Sequence, residues 1–365
     1  MQQRLKLLAS VTFFLTLTSQ AQTIQWDRQA FGDEKLKSSS ISGGDLDGDG
    51  DIDVSIANGR HWPDRNEIYF NQGDGVFGEA IKIDSASTSY AAELGDFDGD
   101  GDLDMAVGND SRPNHLYMND GSGSFQYVGG FGNDRSNTRN ICLADINQDG
   151  HLDILVVNRF YTNEICINDG SGKFEQVVPF GIDGEATLDV VVYDIDGDLD
   201  LDIIVANRNE QKNAIYFNDE LSFGKRKEIG SSADDTRSVA LADVDQDGFM
   251  DIICANIQAR NAIIYGDEDL AYKRESFFGQ AKTRTFALDI GDIDQDGDVD
   301  IITANTRGGN FLYLNEPASA GFSSVAFDEK KLDTYDIQMI DLNDDGKLDI
   351  LTSNSEGMNY HFIQK

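Results

Sequence analysis

Seven stretches of this sequence carry carboxylates at a spacing suited to a hard cation. The first is Asp45-Leu-Asp47-Gly-Asp49-Gly50-Asp51-Ile-Asp53, and the pattern D-x-D-x-D-G-x-x-D starts again at Asp96, Asp145, Asp194, Asp243, Asp292 and Asp341. Positions 1, 3, 5 and 9 are the candidate ligands. They are Asp45, Asp47, Asp49 and Asp53; Asp96, Asp98, Asp100 and Asp104; Asp145, Asn147, Asp149 and Asp153; Asp194, Asp196, Asp198 and Asp202; Asp243, Asp245, Asp247 and Asp251; Asp292, Asp294, Asp296 and Asp300; and Asp341, Asn343, Asp345 and Asp349. Side-chain oxygens at 1, 3 and 5 turn inward, Gly at 6 permits a sharp turn, residue 7 offers a carbonyl, and position 9 closes the shell. An all-oxygen shell of this density selects Ca²⁺. An EF-hand needs an acid at position 12 and flanking helices, but position 12 is Ile56 in the first loop and Val156 in the third. The plain alternative is a set of Asx turns without metal, which leaves several carboxylates repelling one another. Ca²⁺ is therefore the expected cofactor, in a structural role. Leu199 replaces the turn Gly of the fourth loop and makes it the weakest site.

A second set of residues has the chemistry to bind and transform an anion. Arg60, Arg112, Arg139, Arg159, Arg208, Arg237, Arg284 and Arg307 are candidates for substrate binding, because a guanidinium fork fits a carboxylate or sulfate in bidentate fashion. Trp62 joins them as a ring suited to stacking on a sugar. His61, Tyr90, Tyr161 and Tyr335 are the candidate proton-transfer groups. His61 stands in the longest such loop, Gly59-Arg60-His61-Trp62-Pro63-Asp64-Arg65, and the chain holds only four His. The plain reading of these arginines is pairing with Asp64, Asp134, Glu210 and Asp235, which contributes little at a surface. Nothing resembles a Ser-His-Asp set, a phosphate loop or a zinc site.

The elements that must hold these residues follow from the repeat. Successive loops begin 49 residues apart, once 51, and a fixed period of this length marks an array or a propeller. In the unit 139–181, residues 139–144 alternate as a first strand, 145–153 is the acidic loop, and 152–157 is an apolar second strand. Residues 164–168 form a third strand, Asp169-Gly-Ser-Gly172 a tight turn, and 174–180 a fourth strand. Four short antiparallel strands per repeat make one propeller blade. The last repeat stops after its third strand, and residues 24–31 form a lone strand of fourth-strand pattern. The expected fold is all-β: a seven-bladed β-propeller of four-stranded antiparallel blades, closed by the N-terminal strand so that no sheet edge is left open. The acidic loops and 3–4 turns then lie on one face, and the 2–3 loops and 4–1 connections on the other. Eleven of the fourteen arginines beyond residue 21 fall on that second face. Tyr90, Arg139, Arg237 and Tyr335 each precede an acidic loop by six residues, where first strands line the channel. Arg226, on an outer strand, is expected to be neutral to function.

Composition narrows the partners. The chain has 365 residues, a net charge of −37 and a pI near 4.1, which argues against nucleic acid. Residues 1–21 read as a secretory signal, with Arg4 and Lys6 before an apolar run too short to span a bilayer. Residues 22–365 are then one exported propeller, secreted or periplasmic, monomeric and without a membrane span. Cys142, Cys166 and Cys254 read as buried free thiols.

The acidic loops, the strand end Ala206-Asn207 and the turn Asn168-Asp-Gly-Ser-Gly-Lys-Phe174 resemble FG-GAP or VCBS repeats, the units of integrin α-subunit propellers and of many secreted bacterial proteins. The resemblance extends over nearly the whole chain beyond the signal. Similar propellers include polysaccharide lyases, sugar dehydratases, adhesins and lectin-like modules. The resemblance and the residue types together imply β-elimination, by a lyase or dehydratase, on acidic (uronate-containing or sulfated) poly- or oligosaccharides. The alternative is a non-catalytic carbohydrate-binding or adhesion module, since one fold hosts many functions.

Overall fold

Each acidic loop delivers the chain into a strand whose first six residues are all buried. Asp53–Asn58, Asp104–Asn109, Asp153–Asn158, Asp202–Asn207 and Asp349–Asn354 are buried at every position. These strands are apolar on both sides because each is sandwiched between neighbouring blades. The computed structural model describes residues 24–365 apart from 34, 84, 136 and 317–320, so the leader read at 1–21 lies outside the described residues. Seven apolar clusters occur among them, one at each junction of successive blades. The junction of blades three and four, for instance, packs Ile146, Leu155 and Ile165 on Val190, Ile203 and Tyr216.

Five blades are separate four-stranded antiparallel sheets. Blades six and seven share a six-stranded sheet, because the segment Gly321–Ile340 runs from the outer edge of one into the channel side of the next. The first strands are Ser38–Gly44, Ser89–Gly95, Thr138–Ala144, Thr187–Tyr193, Asp235–Ala242, Thr285–Gly291 and the end of Gly321–Ile340. Each packs on the next, and the last packs on the first, which closes the ring around a channel. The N-terminal strand Trp26–Phe31 pairs with Asn359–Gln364 and supplies the outer strand of blade seven, as the sequence predicts.

Two polar devices repeat around the ring. The sixth residue of each central strand is a buried Asn, at 58, 109, 158, 207, 256, 305 and 354. In blade one its Oδ1 accepts from the Ser38 hydroxyl at 2.9 Å, its Nδ2 donates to the Arg65 carbonyl at 3.0 Å, and its N–H donates to Asn66 Oδ1 at 2.9 Å. This Asn ties the first strand to the 2–3 loop, so it fixes the face on which the arginines stand. The second device is the position-9 Asp of each acidic loop. Asp53 accepts from the Leu46 N–H and the Asn71 N–H, both at 2.8 Å, and its equivalents repeat the pair of bonds. Position 9 is thus a structural clasp as well as a candidate ligand. Burial pushes Asp53 up to about 6 and Asp300 to about 7. The three cysteines are free, two of them fully buried.

Candidate functional site at the channel mouth

The lip of the channel is built from a backbone irregularity. Every first strand breaks register at one residue, six before its acidic loop: between Ser38 and Ser40, Ser89 and Ala91, Thr138 and Asn140, and so on through Thr334 and Asp336. A bulge of this kind re-aims one side chain. The bulged residues are Ser39, Tyr90, Arg139, Leu188, Arg237, Phe286 and Tyr335, and all line a channel cavity of about 440 Å³. Above them lies a crown made by the 2–3 loops. At the first crown position the N–H closes onto the same blade, as from Arg159 to the Asn137 carbonyl at 3.0 Å. At the second it reaches the next blade, as from Phe160 to the Glu185 carbonyl at 2.9 Å.

Lip and crown together bring the candidate chemistry to one place. The Tyr90 hydroxyl lies 3.1 Å from His61 Nδ1 and 3.0 Å from Nε2. His61 Nδ1 is 3.6 Å from Asp110 Oδ2, and Asp110 also holds Arg139 at 3.2 Å. Arg139 lies over the Tyr90 ring at 4.3 Å, and Arg60 over the Tyr335 ring at 3.6 Å. Phe286 meets Tyr335 edge-on at 4.7 Å and carries Arg237 at 5.1 Å. Partial burial, then the charges of Arg139 and Arg60, hold His61 below its ordinary pKa. Burial pushes Tyr90 up, against the pull of Arg139 and Arg237.

The arginines are short of counter-charge. Arg139 pairs with Asp110, but Arg60, Arg159, Arg208 and Arg237 make no ion pair among the described residues. The expected partners Asp64, Asp134, Glu210 and Asp235 do not engage them; Asp235 accepts the Asn209 N–H instead. Arg159 Nε and Arg208 Nε are buried without an acceptor. Burial, together with neighbouring arginines, lowers Arg237 to about 10.

Other predicted residues stand apart. Tyr161 is exposed and lies outside the residues that line the channel cavity, with no contact to His61 or Tyr90 among the described residues. Trp62 is 64% exposed, with Lys37 over its ring at 4.5 Å. Arg112 is exposed. Arg284 donates to Thr306 Oγ1 at 3.2 Å, and Arg307 lines a separate hollow with Lys331 and Glu356. Tyr335 serves as a floor for Arg60. Phe286 was missed, although it follows from the repeat register once the bulge is known, and Asp110 was missed because its partners lie on other blades. Also missed was an acidic layer inside the channel. Asp189, Asp289 and Asp336 accept from the N–H groups of Val239, Met339 and Ile41 on neighbouring blades at 2.9, 2.7 and 3.0 Å. They stitch first strand to first strand, while Glu93 faces the same cavity and is pushed up to about 8 by burial and by Asp336 and Asp189.

The acidic loops on the far face fit a hard cation. In five of them, oxygens from positions 1, 3 and 9 lie within 4.8 Å of one another. The other two carry Asn147 or Asn343 at position 3, which also offers an oxygen. Asp196 Oδ1 and Asp294 Oδ1 are buried with no hydrogen-bond donor, an uncompensated desolvation that a cation relieves. Protein cations stand beside three loops: Lys225 at 3.6 Å from Asp196, Arg274 paired with Asp245, and Lys347 at 3.6 Å from Asp345. Leu199 holds the fourth loop's turn at φ +81°, a left-handed conformation that its predicted Gly would adopt freely.

Comparison with known proteins agrees with this architecture. A family model described as FG-GAP-like repeat matches residues 45–107, 96–156, 145–205, 194–254 and 292–352. A crystal structure of BBS1N in complex with ARL6DN, soaked with lead, is similar at TM-score 0.63 and 14% identity, over 93% of this chain and 97% of that one. The mercury-soaked form of the same complex gives TM-score 0.62 and 13% identity over the same shares. At these identities the likeness is one of fold. No curated protein sequence matches.

Proposed function

The chain belongs to the FG-GAP-like repeat family, and from that premise we propose that it is an exported, calcium-stabilised propeller whose channel mouth acts on acidic poly- or oligosaccharides by β-elimination, as a lyase or dehydratase. One observation carries the reading. Arg60, Arg159, Arg208 and Arg237 converge without counter-ions on a chain of net charge −37. Placing cations together is costly unless an anion joins them, and Asp110, the one carboxylate that pairs in this cluster among the described residues, is taken by Arg139. Calcium, held by the acidic loops, would offset their mutual repulsion and contribute no reacting atom.

The chemistry uses groups already in contact. A substrate carboxylate held by the guanidinium groups loses much of its charge, so the adjacent C–H becomes more acidic. His61, kept neutral by its depressed pKa, takes that proton. The freed electron pair forms the C=C bond as the β C–O bond breaks. The leaving oxygen takes a proton from the Tyr90 hydroxyl, which is then restored from His61 across their hydrogen bond. Asp110 orients His61 and Arg139 together.

Calorimetry with a uronate oligosaccharide at low and high salt tests the anion site. Affinity should fall as salt rises, since screening weakens exposed charge contacts, and Arg237→Ala should weaken binding at low salt. Absence of binding at low salt to any acidic saccharide overturns the reading.

A further inference from the structure

We propose that Phe160 and Tyr161 on blade three form a second sugar platform beside the mouth, so that the ligand is a chain of at least two units with an anionic group over Arg159 and Arg208. The proposal rests on the anionic-saccharide reading above and adds to it the residues that would hold a second sugar unit.

The argument begins with a strained ring of residues. All seven blades place a left-handed residue at the second crown position: Arg60, Ser111, Phe160, Asn209, Gln258, Arg307 and Glu356, with φ between 44° and 67°. The cause is connectivity. In six of the seven this residue turns its N–H to the neighbouring blade while the chain before it stays bonded to its own. Asn tolerates that conformation, and flexible polar side chains can at least reach solvent from it. A bulky aromatic gains nothing from solvent there, and positive φ is a true outlier for it. Phe160 is the one aromatic of the seven.

Burial does not compensate this strain. The Phe160 ring is 44% exposed and that of Tyr161 49%. Strain held without packing in return points to function. Beside the ring is what an acidic sugar needs. The Arg159 guanidinium lies over Phe160 at 4.6 Å, and its Nη2 reaches Asn209 Oδ1 at only 3.5 Å. Its Nε and that of Arg208 are buried with no acceptor. Burial and then the charges of Arg208 and Arg139 depress the Arg159 pKa, so this pair is electrically continuous with the lip. A flat apolar face next to unsatisfied guanidinium edges matches a uronate: its C–H face on the ring, its carboxylate on the fork.

The test is calorimetry at low salt with galacturonate and its oligomers from dimer to hexamer, on the full chain, Phe160→Gly and Tyr161→Ala. Affinity of the unaltered protein should rise about tenfold from monomer to trimer, the scale of one aromatic contact. Phe160→Gly should lose that gain, keep monomer affinity, and melt at a higher temperature because Gly relieves the strained φ. A gain with length that survives in both variants overturns the platform. So does monomer binding with no gain in the unaltered protein, or a lower melting temperature in Phe160→Gly. Failure of every length to bind overturns the reading of the mouth itself, and the two failures are distinct.

Discussion

Replacing His361 with Phe should remove an acid sensitivity at the seam that closes the ring. His361 lies on Asn359–Gln364, the strand that receives the N-terminal strand, and is 2% exposed. It packs against Phe31 at 5.9 Å and Phe77 at 5.1 Å, and neither ring nitrogen has a hydrogen-bond partner. Burial lowers its pKa from an ordinary 6.5 to about 4, opposed only by Asp27. The folded pKa is below the unfolded one, so the unfolded chain binds the proton more readily. The contribution is present above pH 6.5 and lost as pH falls toward 4. With one pKa unit worth about 1.4 kcal/mol, the loss reaches about 2 kcal/mol by pH 5 and about 3 kcal/mol below pH 4. Urea midpoints of the unaltered protein and His361→Phe at pH 7.5 and pH 5 measure it by difference, which cancels the titration of the many carboxylates. The gap between the two proteins should move by about 2 kcal/mol in favour of the variant at pH 5. Parallel pH dependences would show that His361 is already satisfied or solvated, and would refute the reasoning.

Three further outcomes follow from the same structure. Chelation should lower the melting temperature and added calcium restore it, with Asp149→Ala more damaging than Asp198→Ala in the irregular fourth loop; an unchanged curve in excess chelator removes the structural role of metal. Deleting residues 22–32 should expose the edge strand of blade seven and cause aggregation, seen by light scattering; a soluble, normally melting truncation would show that the seam does not close the ring. Arg226→Ala should cost about 3 kcal/mol in urea unfolding, because it leaves the buried Glu185 carboxylate without the guanidinium at 3.1 Å; an unchanged midpoint would show that Tyr216 and Asn207 satisfy Glu185 alone.

The fold was legible because its signals are local and repeated. Acidic loop, apolar strand and Asn fall in one short stretch, and seven copies leave little ambiguity in register. Blade boundaries agree within a residue or two: the first strand read at 139–144 is Thr138–Ala144. The site was half legible. Residues six before each loop do form the lip, which brings Tyr90, Arg139, Arg237 and Tyr335 together. Partnership was not legible, because it depends on contacts between blades some 49 residues apart. Asp110 reaches Arg139 and His61 across such a junction, and no local pattern announces it. The Arg226 ion pair was hidden for the same reason: an outer-strand position does not reveal the buried Glu185 beneath it. Tyr161 shares a loop with the mouth residues, yet the left-handed turn at Phe160 leaves its ring in solvent.

The central claim is tested most directly by turnover. The protein is incubated with a panel of uronate-containing oligosaccharides, and the ultraviolet absorbance of an unsaturated, conjugated uronate is followed, with mass spectrometry separating chain cleavage from loss of water. The absorbance should rise with at least one acidic substrate, and His61→Ala and Tyr90→Phe should each slow it by on the order of 10²-fold while melting as the unaltered protein does. Binding without any unsaturated product, or full activity in both variants, would contradict β-elimination at this mouth.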